Sequence, residues 1–255
     1  MEHYPFEKTA ASFQENPIYE ATIKDRKVDL VTLIEESVYA QNLTELFCNL
    51  ELIVFISRHS SLSGTPTLSV HTPGNLGDNA ELGGFPRKVS VSPANAMKDA
   101  LKTMAKFKEE MQLNYEVSYE CTHHGPSLNV PTMFAELGSS PTQWNDLDAA
   151  ETVAHAAMDA ISNFGGFQDK AVLGIGGPHY NMKFTRMALE GKVAFGHIIP
   201  KYAISWINTE ILQQCLEKTL ERIELVTLDW KGIKGEDKPK LVRMLEEIGI
   251  PLEKV

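Results

Sequence analysis

Leu50-Glu51-Leu52-Ile53-Val54-Phe55-Ile56-Ser57 is a near-continuous run of apolar residues. Such a run is typical of a strand that is covered on both faces of its sheet. Further segments with strand character follow along the chain, at residues 68–71, 117–121, 171–175 and 193–199. Helical patterns separate several of these segments. Strands that alternate with helices indicate an α/β protein.

The helical segments have recognisable starts and apolar stripes. Ser92 and Pro93 predict the start of one helix, because serine favours the N-cap and proline the first helical position. Apolar residues at helical spacing predict a second helix over residues 143–164. Further helices are predicted near residues 209–219 and 238–248, with a polar loop near 232–239 before the last one. We expect residues 1–255 to form one domain.

Composition excludes several classes of protein. No apolar run approaches the roughly 20 residues that span a bilayer, so we expect no membrane association. Three widely spaced cysteines without a Cys-x-x-Cys motif predict neither a disulfide framework nor a cysteine zinc knuckle, and favour a reducing, cytoplasmic setting. The net charge of −10 argues against broad nonspecific binding to DNA or RNA, although a local basic patch is compatible with it. The oligomeric state is not specified by these features.

Histidines are concentrated where an active site is expected. Six of the eight lie in loops or at strand ends, namely His59, His71, His123, His124, His179 and His197. Function in open α/β proteins concentrates at such strand ends. His123 and His124 follow a strand directly, and they would point to opposite faces if the chain stayed extended there. A turn that starts at Gly125 would relax this restriction.

The histidines support two chemical interpretations and one structural alternative. As proton-transfer residues, His123, His124 and His179 are candidate catalytic groups, and Thr122 is a candidate nucleophile beside them. As metal ligands, His59, His124 and His179 would have to assemble from separate strands into a zinc site. Alternatively, each histidine satisfies a buried hydrogen bond. The sequence lacks the His-x-x-x-His spacing of zincin proteases and the Gly-x-Ser-x-Gly elbow of α/β-hydrolases.

A glycine-rich turn follows the strand at residues 171–175. Free backbone N–H groups at Gly176 and Gly177 would suit an anion or a developing oxyanion. The turn matches neither the dinucleotide-binding motif nor the P-loop, since His179 stands where the former has its last glycine. A tight connection between strand and helix is the alternative.

Other candidate substrate-binding residues lie near the ends of the strands. Ser57 and Arg58 end the first strand, and Arg58 could hold a phosphate or carboxylate with two parallel hydrogen bonds. Lys201 and Tyr202, just after the segment at 193–199, could reach a polyanionic substrate, and His197 within that segment is a further candidate for substrate binding. Pairing of Arg58 with a surface acid and simple exposure of Lys201 are the alternatives.

Several of these motifs occur together in an order that resembles one family. They are Ser57-Arg58-His59-Ser60-Ser61, His71-Thr72-Pro73-Gly74-Asn75, Thr122-His123-His124-Gly125-Pro126, Gly176-Gly177-Pro178-His179-Tyr180 and Gly196-His197. Over about residues 50–230 the chain is similar to the archaeal and plant type of D-aminoacyl-tRNA deacylase. One difference is Pro178, where many members of that family carry a further glycine.

The resemblance implies an activity, a cofactor and a fold. It implies hydrolysis of the ester that joins a D-amino acid to the 3′ end of tRNA, with zinc as cofactor. It also implies a three-layer α/β/α fold with a mixed, mostly parallel sheet, of the phosphorylase/hydrolase-like type. Plant members are further associated with aldehyde-modified D-aminoacyl-tRNA, a role that we do not carry over to this chain.

Two other functions stay open at the level of sequence. One is a zinc-dependent peptidase or amidohydrolase that acts on small substrates. The other is a noncatalytic RNA-binding module, which the sequence disfavours because it shows no aromatic stacking platform in a basic setting.

Overall fold

A computed structural model describes residues 4–166 and 169–255. The strands are β1 (Glu7–Phe13), β2 (Asn16–Ile23), β3 (Arg26–Leu30), β4 (Ile53–Arg58), β5 (Thr67–His71), β6 (Glu116–Tyr119), β7 (Thr132–Gly138), β8 (Lys170–Ile175), β9 (Val193–Ile199), β10 (Val226–Leu228) and β11 (Leu252–Lys254). The α-helices are α1 (Leu43–Leu46), α2 (Ala94–Glu110), α3 (Pro141–Trp144), α4 (Leu147–Asn163), α5 (Met182–Glu190), α6 (Thr209–Glu217) and α7 (Lys238–Ile248).

Within the described residues, the strands form three sheets. The first is an antiparallel sheet in the order β1-β2-β3, the second has the order β4-β7-β5-β6, and the third has the order β11-β10-β8-β9. The pairing of β5 with β7 is antiparallel, and the other described pairings in the second and third sheets are parallel. The structure thus confirms the prediction of an α/β protein with mixed, mostly parallel strands.

Helices cover the sheets in layers. One continuous apolar core joins α2, α4 and α5 to inward-facing residues of the second and third sheets. A second core, on the opposite face of the third sheet, packs α6 and α7 against β8 and β10. Helices therefore lie on both faces of the third sheet, as a three-layer arrangement requires.

The helix boundaries differ in part from the sequence predictions. The helix predicted from Ser92 and Pro93 begins at Ala94. A residue that is distant in sequence binds the first free N–H groups of this helix. The Glu221 carboxylate accepts hydrogen bonds from the backbone N–H groups of Ala94 and Asn95, at 3.0 and 2.9 Å. The Ser92 side chain therefore does not act as the N-cap. The helix predicted at 143–164 is divided into α3 and α4, because Asp146 caps a new start through its bond from Ala149 N–H.

Several strands were not predicted from the sequence. They are the three strands of the first sheet (β1, β2 and β3), the short strands β10 and β11, and the inner strand β7 of the second sheet. β7 matters most for function, because it carries a buried charged residue, Glu136, in the middle of an otherwise apolar strand.

One face of the second sheet is polar although it is buried. Alternate residues of a strand point to the same face, so β5 presents Ser69 and His71 together. Ser57 and Ser69 lie opposite Glu136 on the two neighbouring strands, β4 and β5. The apolar alternate positions, Leu68 and Val70, face the core that α2 and α4 cover. The polar face is where the candidate site lies.

Candidate active site

Four histidines meet at the end of the polar face, where β5 and β6 both end. We call His71, His123, His124 and His179 the histidine cluster. The ring centre of His123 lies 4.4 Å from that of His71, 4.2 Å from that of His124 and 4.5 Å from that of His179. Sequence elements from three parts of the chain therefore converge on His123.

His123 and His124 both face the cluster, although they are adjacent in sequence. The backbone of His124 has a φ of 41°, in the left-handed region that few residues other than glycine adopt. This turn removes the restriction that an extended chain would impose and brings the His124 ring centre within 4.9 Å of that of His71. Both His123 and His124 therefore contact the same group of rings.

Three rings of the cluster are oriented by backbone carbonyl groups. Nδ1 lies 2.8 Å from the Cys121 oxygen in His123, 2.7 Å from the Gly125 oxygen in His124, and 3.3 Å from the Thr72 oxygen in His71. A carbonyl oxygen can only accept, so each Nδ1 carries the proton and each Nε2 keeps its lone pair in the neutral ring. Such fixing of the tautomer by a carbonyl is typical of histidines that ligate a metal.

The electrostatic environment keeps two of these rings neutral. Burial, together with the positive charge that His71 and His124 would carry, lowers the pKa of His123 well below its ordinary value. Burial lowers the pKa of His124 to about 4, and a charge on His71 acts in the same direction. Neutral imidazole is the form that binds metal ions or accepts protons.

Glu120, at the end of β6, is the buried acid of the site. Its carboxylate accepts hydrogen bonds from Ser69 Oγ at 2.5 Å and from His179 Nε2 at 2.7 Å, and lies 3.7 Å from His123 Nε2. Burial would raise the pKa of Glu120, but the bond from His179 and the nearby histidines His71, His123 and His59 hold it well below its ordinary value. Glu120 is therefore a buried carboxylate that is satisfied by its partners.

His179 connects Glu120 to two further groups. Its Nδ1 lies 3.2 Å from Cys121 Sγ and 3.2 Å from the Tyr202 hydroxyl. Burial would lower the pKa of His179, but the hydrogen bonds to Cys121 and Glu120 raise it to about 10. Burial, assisted by Cys121, raises the pKa of Tyr202 above its ordinary value, so its hydroxyl stays a proton donor.

A second acidic group occupies the middle of the polar face. Glu136 accepts a hydrogen bond from Ser57 Oγ and lies 3.6 Å from His59 Nδ1. His59 also contacts the Tyr180 hydroxyl through Nε2. Burial, then the charge of Glu120, raises the pKa of Tyr180 to about 12. Ser57, predicted to bind substrate, lies on this face and supports Glu136.

Potential metal ligands fall into three groups within the described residues. They are His71 with His123 and His124; Cys121 with His123 and His179; and His59 with Glu120 and Glu136, each group having its ligand atoms within 4.8 Å of one another. The predicted set of His59, His124 and His179 is not among them. β4 runs antiparallel to β5 and β6, so His59 follows the opposite end of the sheet and turns back toward the glutamates instead.

The glycine turn does not offer free donors. Gly176 N–H donates to the Ile199 oxygen at 2.8 Å, and Gly177 N–H donates to the Gly232 oxygen at 3.3 Å. Gly176 has a φ of 109°, and a Cβ there would lie 2.8 Å from the Asp229 oxygen. The prediction of an oxyanion site at Gly176 and Gly177 is therefore wrong, and the tight strand-to-helix connection is what the structure shows.

Thr122 and His197 link two sheets instead of facing substrate together. Thr122 Oγ1 lies 3.1 Å from His197 Nδ1 and accepts a hydrogen bond from Ile198 N–H, while His197 Nε2 donates to the Lys218 oxygen. His197 is fully buried, and burial lowers its pKa to about 4. Thr122 lines the groove, whereas His197, predicted to bind substrate, is not among the residues that line it and contacts Thr122 from the interior. The Thr122 hydroxyl, predicted to be a nucleophile, is held in this link.

The two predicted basic contacts lie at the surface. Arg58 is exposed, pairs with Glu36 at 2.8 Å and lies over the Trp144 ring at 5.1 Å, so it takes the surface-pair alternative. Lys201 is also exposed, and its backbone N–H donates to the Gly177 oxygen. Lys201 immediately precedes Tyr202, which contacts His179, whereas Arg58 makes no described contact with the cluster.

A groove of about 650 Å³ leads from the histidine cluster to the surface. Its lining comes from the loop after β5, from the segment around His123, and from the segment before α6, namely Gly74, Asn75, Leu76, Gly77, Asp78, Asn79, Arg87, Thr122, His123, His124, Tyr202, Ala203, Ser205 and Trp206. A groove that ends at polar groups with shifted pKa values is the expected form of an active site.

The site combines neutral histidine side chains that can ligate a metal with the buried carboxylate of Glu120 and the protonated hydroxyl of Tyr202. This set can hold a metal ion, hold a proton on His179 and donate a hydrogen bond from Tyr202. Glu120, Glu136 and Cys121 were not predicted as site residues, and Tyr202 was predicted only as a contact to a polyanionic substrate. A charged residue inside an apolar strand, as at Glu136, was the available signal.

Comparison with known proteins gives one consistent family. The family model for D-aminoacyl-tRNA deacylase matches residues 46–253. Proteins named D-aminoacyl-tRNA deacylase from Thermococcus kodakarensis and Pyrococcus abyssi are 38% and 37% identical, over 98% of this chain and 91% of their own length. The protein of that name from Methanococcus vannielii is 39% identical over 82% of this chain and 84% of its own.

A solved structure supports the same fold. A crystal structure of a conserved protein of unknown function superposes with a TM-score of 0.87 and 28% identity, covering 100% of this chain and 88% of that one.

Among the described residues, no helix is long and apolar enough to cross a membrane.

Proposed function

Since the chain belongs to the D-aminoacyl-tRNA deacylase family, we propose that it hydrolyses the ester of D-aminoacyl-tRNA and releases free D-amino acid and tRNA. The observation that carries this proposal is the convergence of the other cluster histidines and Glu120 on His123, which together with His124 lines an open groove. Hydrolysis of an ester requires an activated water, a donor for the oxyanion and a proton for the leaving oxygen. The cluster and Tyr202 together offer side chains for each of these tasks.

We assign zinc to the group formed by His71, His123 and His124. Three imidazoles whose Nδ1 atoms face backbone carbonyl oxygens, so that Nε2 carries the lone pair when the ring is neutral, suit a zinc site that keeps a position open for water or substrate. His71 Nε2 is buried without a hydrogen-bond partner in the described structure, as is Glu136 Oε2, and these atoms lie 3.4 Å apart. Such orphaned atoms are costly unless a ligand satisfies them. Zinc bound there would polarise the ester carbonyl and ease deprotonation of water.

The other side chains orient the reacting groups. Glu120 fixes the ring of His179 through the bond to Nε2, and this ring holds a proton beside the groove. The Tyr202 hydroxyl lines the groove next to His179 and can donate to the oxyanion that develops on the ester. Thr122 positions the strand end that carries His123 and His124 through its link to Ile198.

Cellular setting and domain organisation follow from the same proposal. An enzyme that acts on charged tRNA works where translation takes place, so we place it in the cytoplasm. The free thiols of Cys48, Cys121 and Cys215 agree with a reducing compartment. We also retain the interpretation that residues 1–255 form a single deacylase domain.

The test is hydrolysis of matched D- and L-aminoacyl-tRNA, with metal content measured alongside. We expect rapid release of the D-amino acid, slow release of the L-amino acid, and loss of activity on chelation that zinc restores. His71→Ala and His124→Ala should lose bound metal and activity together. His155→Asn, at a histidine of α4 outside the groove, is the matched control. Absence of turnover of either tRNA by the zinc-loaded protein would overturn the proposal.

A further inference from the structure

We propose that Tyr202 and Trp206 form a stacking platform for the terminal adenosine of the tRNA substrate. This inference rests on the proposed deacylase function and identifies the part of the site that holds the nucleoside half of the ester. It assigns a binding role to Trp206 that neither the sequence motifs nor the family match provides.

The platform consists of two large aromatic side chains that the fold leaves open to solvent. Trp206 is 52% exposed and Tyr202 is 40% exposed, and both line the groove. Their ring centres are 5.7 Å apart with an angle of 48° between the planes. Aromatic rings that are exposed inside a binding groove are suited to stacking on a nucleobase, and such stacking is tolerant of base identity.

The backbone around Trp206 is held in place before any ligand binds. Trp206 N–H donates to the Ala203 oxygen at 2.9 Å, and the Trp206 oxygen accepts from Arg87 Nη1 at 3.2 Å. Gly77 lies against the ring, since a Cβ at this glycine would come within 3.3 Å of Trp206 Cε3. A ring that is already supported loses little conformational freedom on binding, which favours affinity.

Tyr202 joins the platform to the reacting groups. Its hydroxyl lies 3.2 Å from His179 Nδ1, while the centre of its ring lies 5.7 Å from that of Trp206. If a substrate binds with its ester carbonyl at the histidine cluster, one side of the ester, either the amino acid or the nucleoside, would therefore lie along Tyr202 toward Trp206. The ribose carries the ester directly, so the adenine is the ring system nearest to the reacting bond on the nucleoside side.

Direction and charge favour the nucleoside over the amino acid as the occupant. The amino-acid side chain can end inside the site, whereas the tRNA body must leave it through an open mouth. Trp206 lines the groove and is half exposed, so this part of the groove is open to solvent, and lysines lie near it. Lys240 Nζ donates to the Ser205 and Ile207 oxygens on either side of Trp206, and Lys201 is exposed beside Tyr202. Lysines there suit the phosphates that follow the terminal adenosine.

The test compares three substrates that carry the same D-amino acid: D-tyrosyl-tRNA, D-tyrosyl-adenosine and D-tyrosine methyl ester. For Trp206→Ala we expect KM to rise about tenfold with the tRNA and the adenosine ester, from the loss of one stacked base, with kcat within about twofold. The methyl ester, which has no base, should be hydrolysed by the variant with unchanged kcat/KM. Trp206→Phe should restore most of the affinity, because it keeps an aromatic face.

Trp230→Ala is the matched control. Trp230 lies under Lys238 and Lys254, at 4.6 and 3.9 Å from its ring centre, and it does not line the groove. We expect this variant to keep the wild-type KM for all three substrates, with melting curves confirming that both variants are folded. An unchanged KM for D-tyrosyl-tRNA in Trp206→Ala would overturn the platform. An equal loss with the methyl ester would assign Trp206 to the amino-acid side and also overturn it. Wild-type protein that hydrolyses no D-tyrosyl-tRNA would instead refute the deacylase function.

Discussion

Replacement of Glu120 by glutamine tests whether the buried carboxylate acts in the site or only fills it. Glutamine keeps the size of the side chain and can still accept a hydrogen bond from Ser69, but it removes the charge that faces His179 at 2.7 Å. The pKa of His179 is about 10 in the folded protein, against an ordinary value of 6.5. At about 1.4 kcal/mol per pKa unit, the raised pKa contributes roughly 3 kcal/mol of stability at pH 7.5.

The pH dependence of this contribution has a definite sign. A group whose pKa is raised on folding contributes its full stability below its unfolded pKa, and this contribution is lost as pH rises through the folded pKa. In metal-free protein, the free energy of unfolding should therefore be lower in Glu120→Gln than in wild type at pH 7.5, by only part of this roughly 3 kcal/mol, because Cys121 also raises the pKa of His179 and stays in the variant. The difference should shrink steadily as pH approaches about 10, the folded pKa of His179. Urea melts at several pH values measure it.

The same substitution should reduce catalysis much more than substrate binding. Without the carboxylate, His179 loses the partner of its Nε2 and its pKa falls, and loss of a positioned proton donor typically costs about 10²- to 10⁴-fold in kcat. KM for D-aminoacyl-tRNA should stay within about twofold. Ser69→Ala is the control, because it removes a hydrogen bond to Glu120 and leaves the charge in place. A kcat in Glu120→Gln equal to that of wild type would refute our assignment of Glu120 and His179 to the reaction.

Three further substitutions test other parts of the structure. Because burial lowers the pKa of His197 to about 4, wild type should lose about 3 kcal/mol of stability between pH 6.5 and 4, and His197→Gln should lose less, as measured by denaturant melts. Gly176→Ala should lower the melting temperature, since its Cβ would meet the Asp229 oxygen; normal stability with lost activity would contradict the purely structural role. Arg58→Ala should leave KM for D-aminoacyl-tRNA unchanged, because Arg58 pairs with Glu36; a severalfold increase would place it in the tRNA interface.

Local sequence patterns were sufficient for much of the fold. The strands that became β4, β5, β6, β8 and β9 are apolar runs bounded by turn residues, and α2 and α4 have apolar stripes at helical spacing. The division of these strands between the second and third sheets depends on contacts between segments that are distant in sequence. One example is the bond from Thr122 N–H to the Ile198 oxygen. No local pattern encodes such a pairing.

The histidines of the site were predictable, but their grouping was not. His123, His124 and His179 were identified because they follow apolar runs directly. The choice of His59 as a co-ligand failed because it assumed that all strand ends meet at one edge. That assumption holds for a wholly parallel sheet, and the antiparallel pairing of β5 with β7 breaks it. The structure instead groups His71 and His123 with His124, since β5 and β6 run in the same direction, and neither His59 nor His179 belongs to this group.

Glu120 and Glu136 are charged residues at positions where the sequence pattern predicts burial, and such positions indicate a functional site. Glu120 ends a strand of Val117, Ser118 and Tyr119, and Glu136 interrupts the apolar run of β7. Each position has a charge where the pattern predicts burial, and burying an unpaired carboxylate costs several kcal/mol. A chain that keeps two such charges must provide partners for them. In this protein the partners are histidines and serines on the same polar face, so the position of a buried acid indicates where the reactive side chains gather.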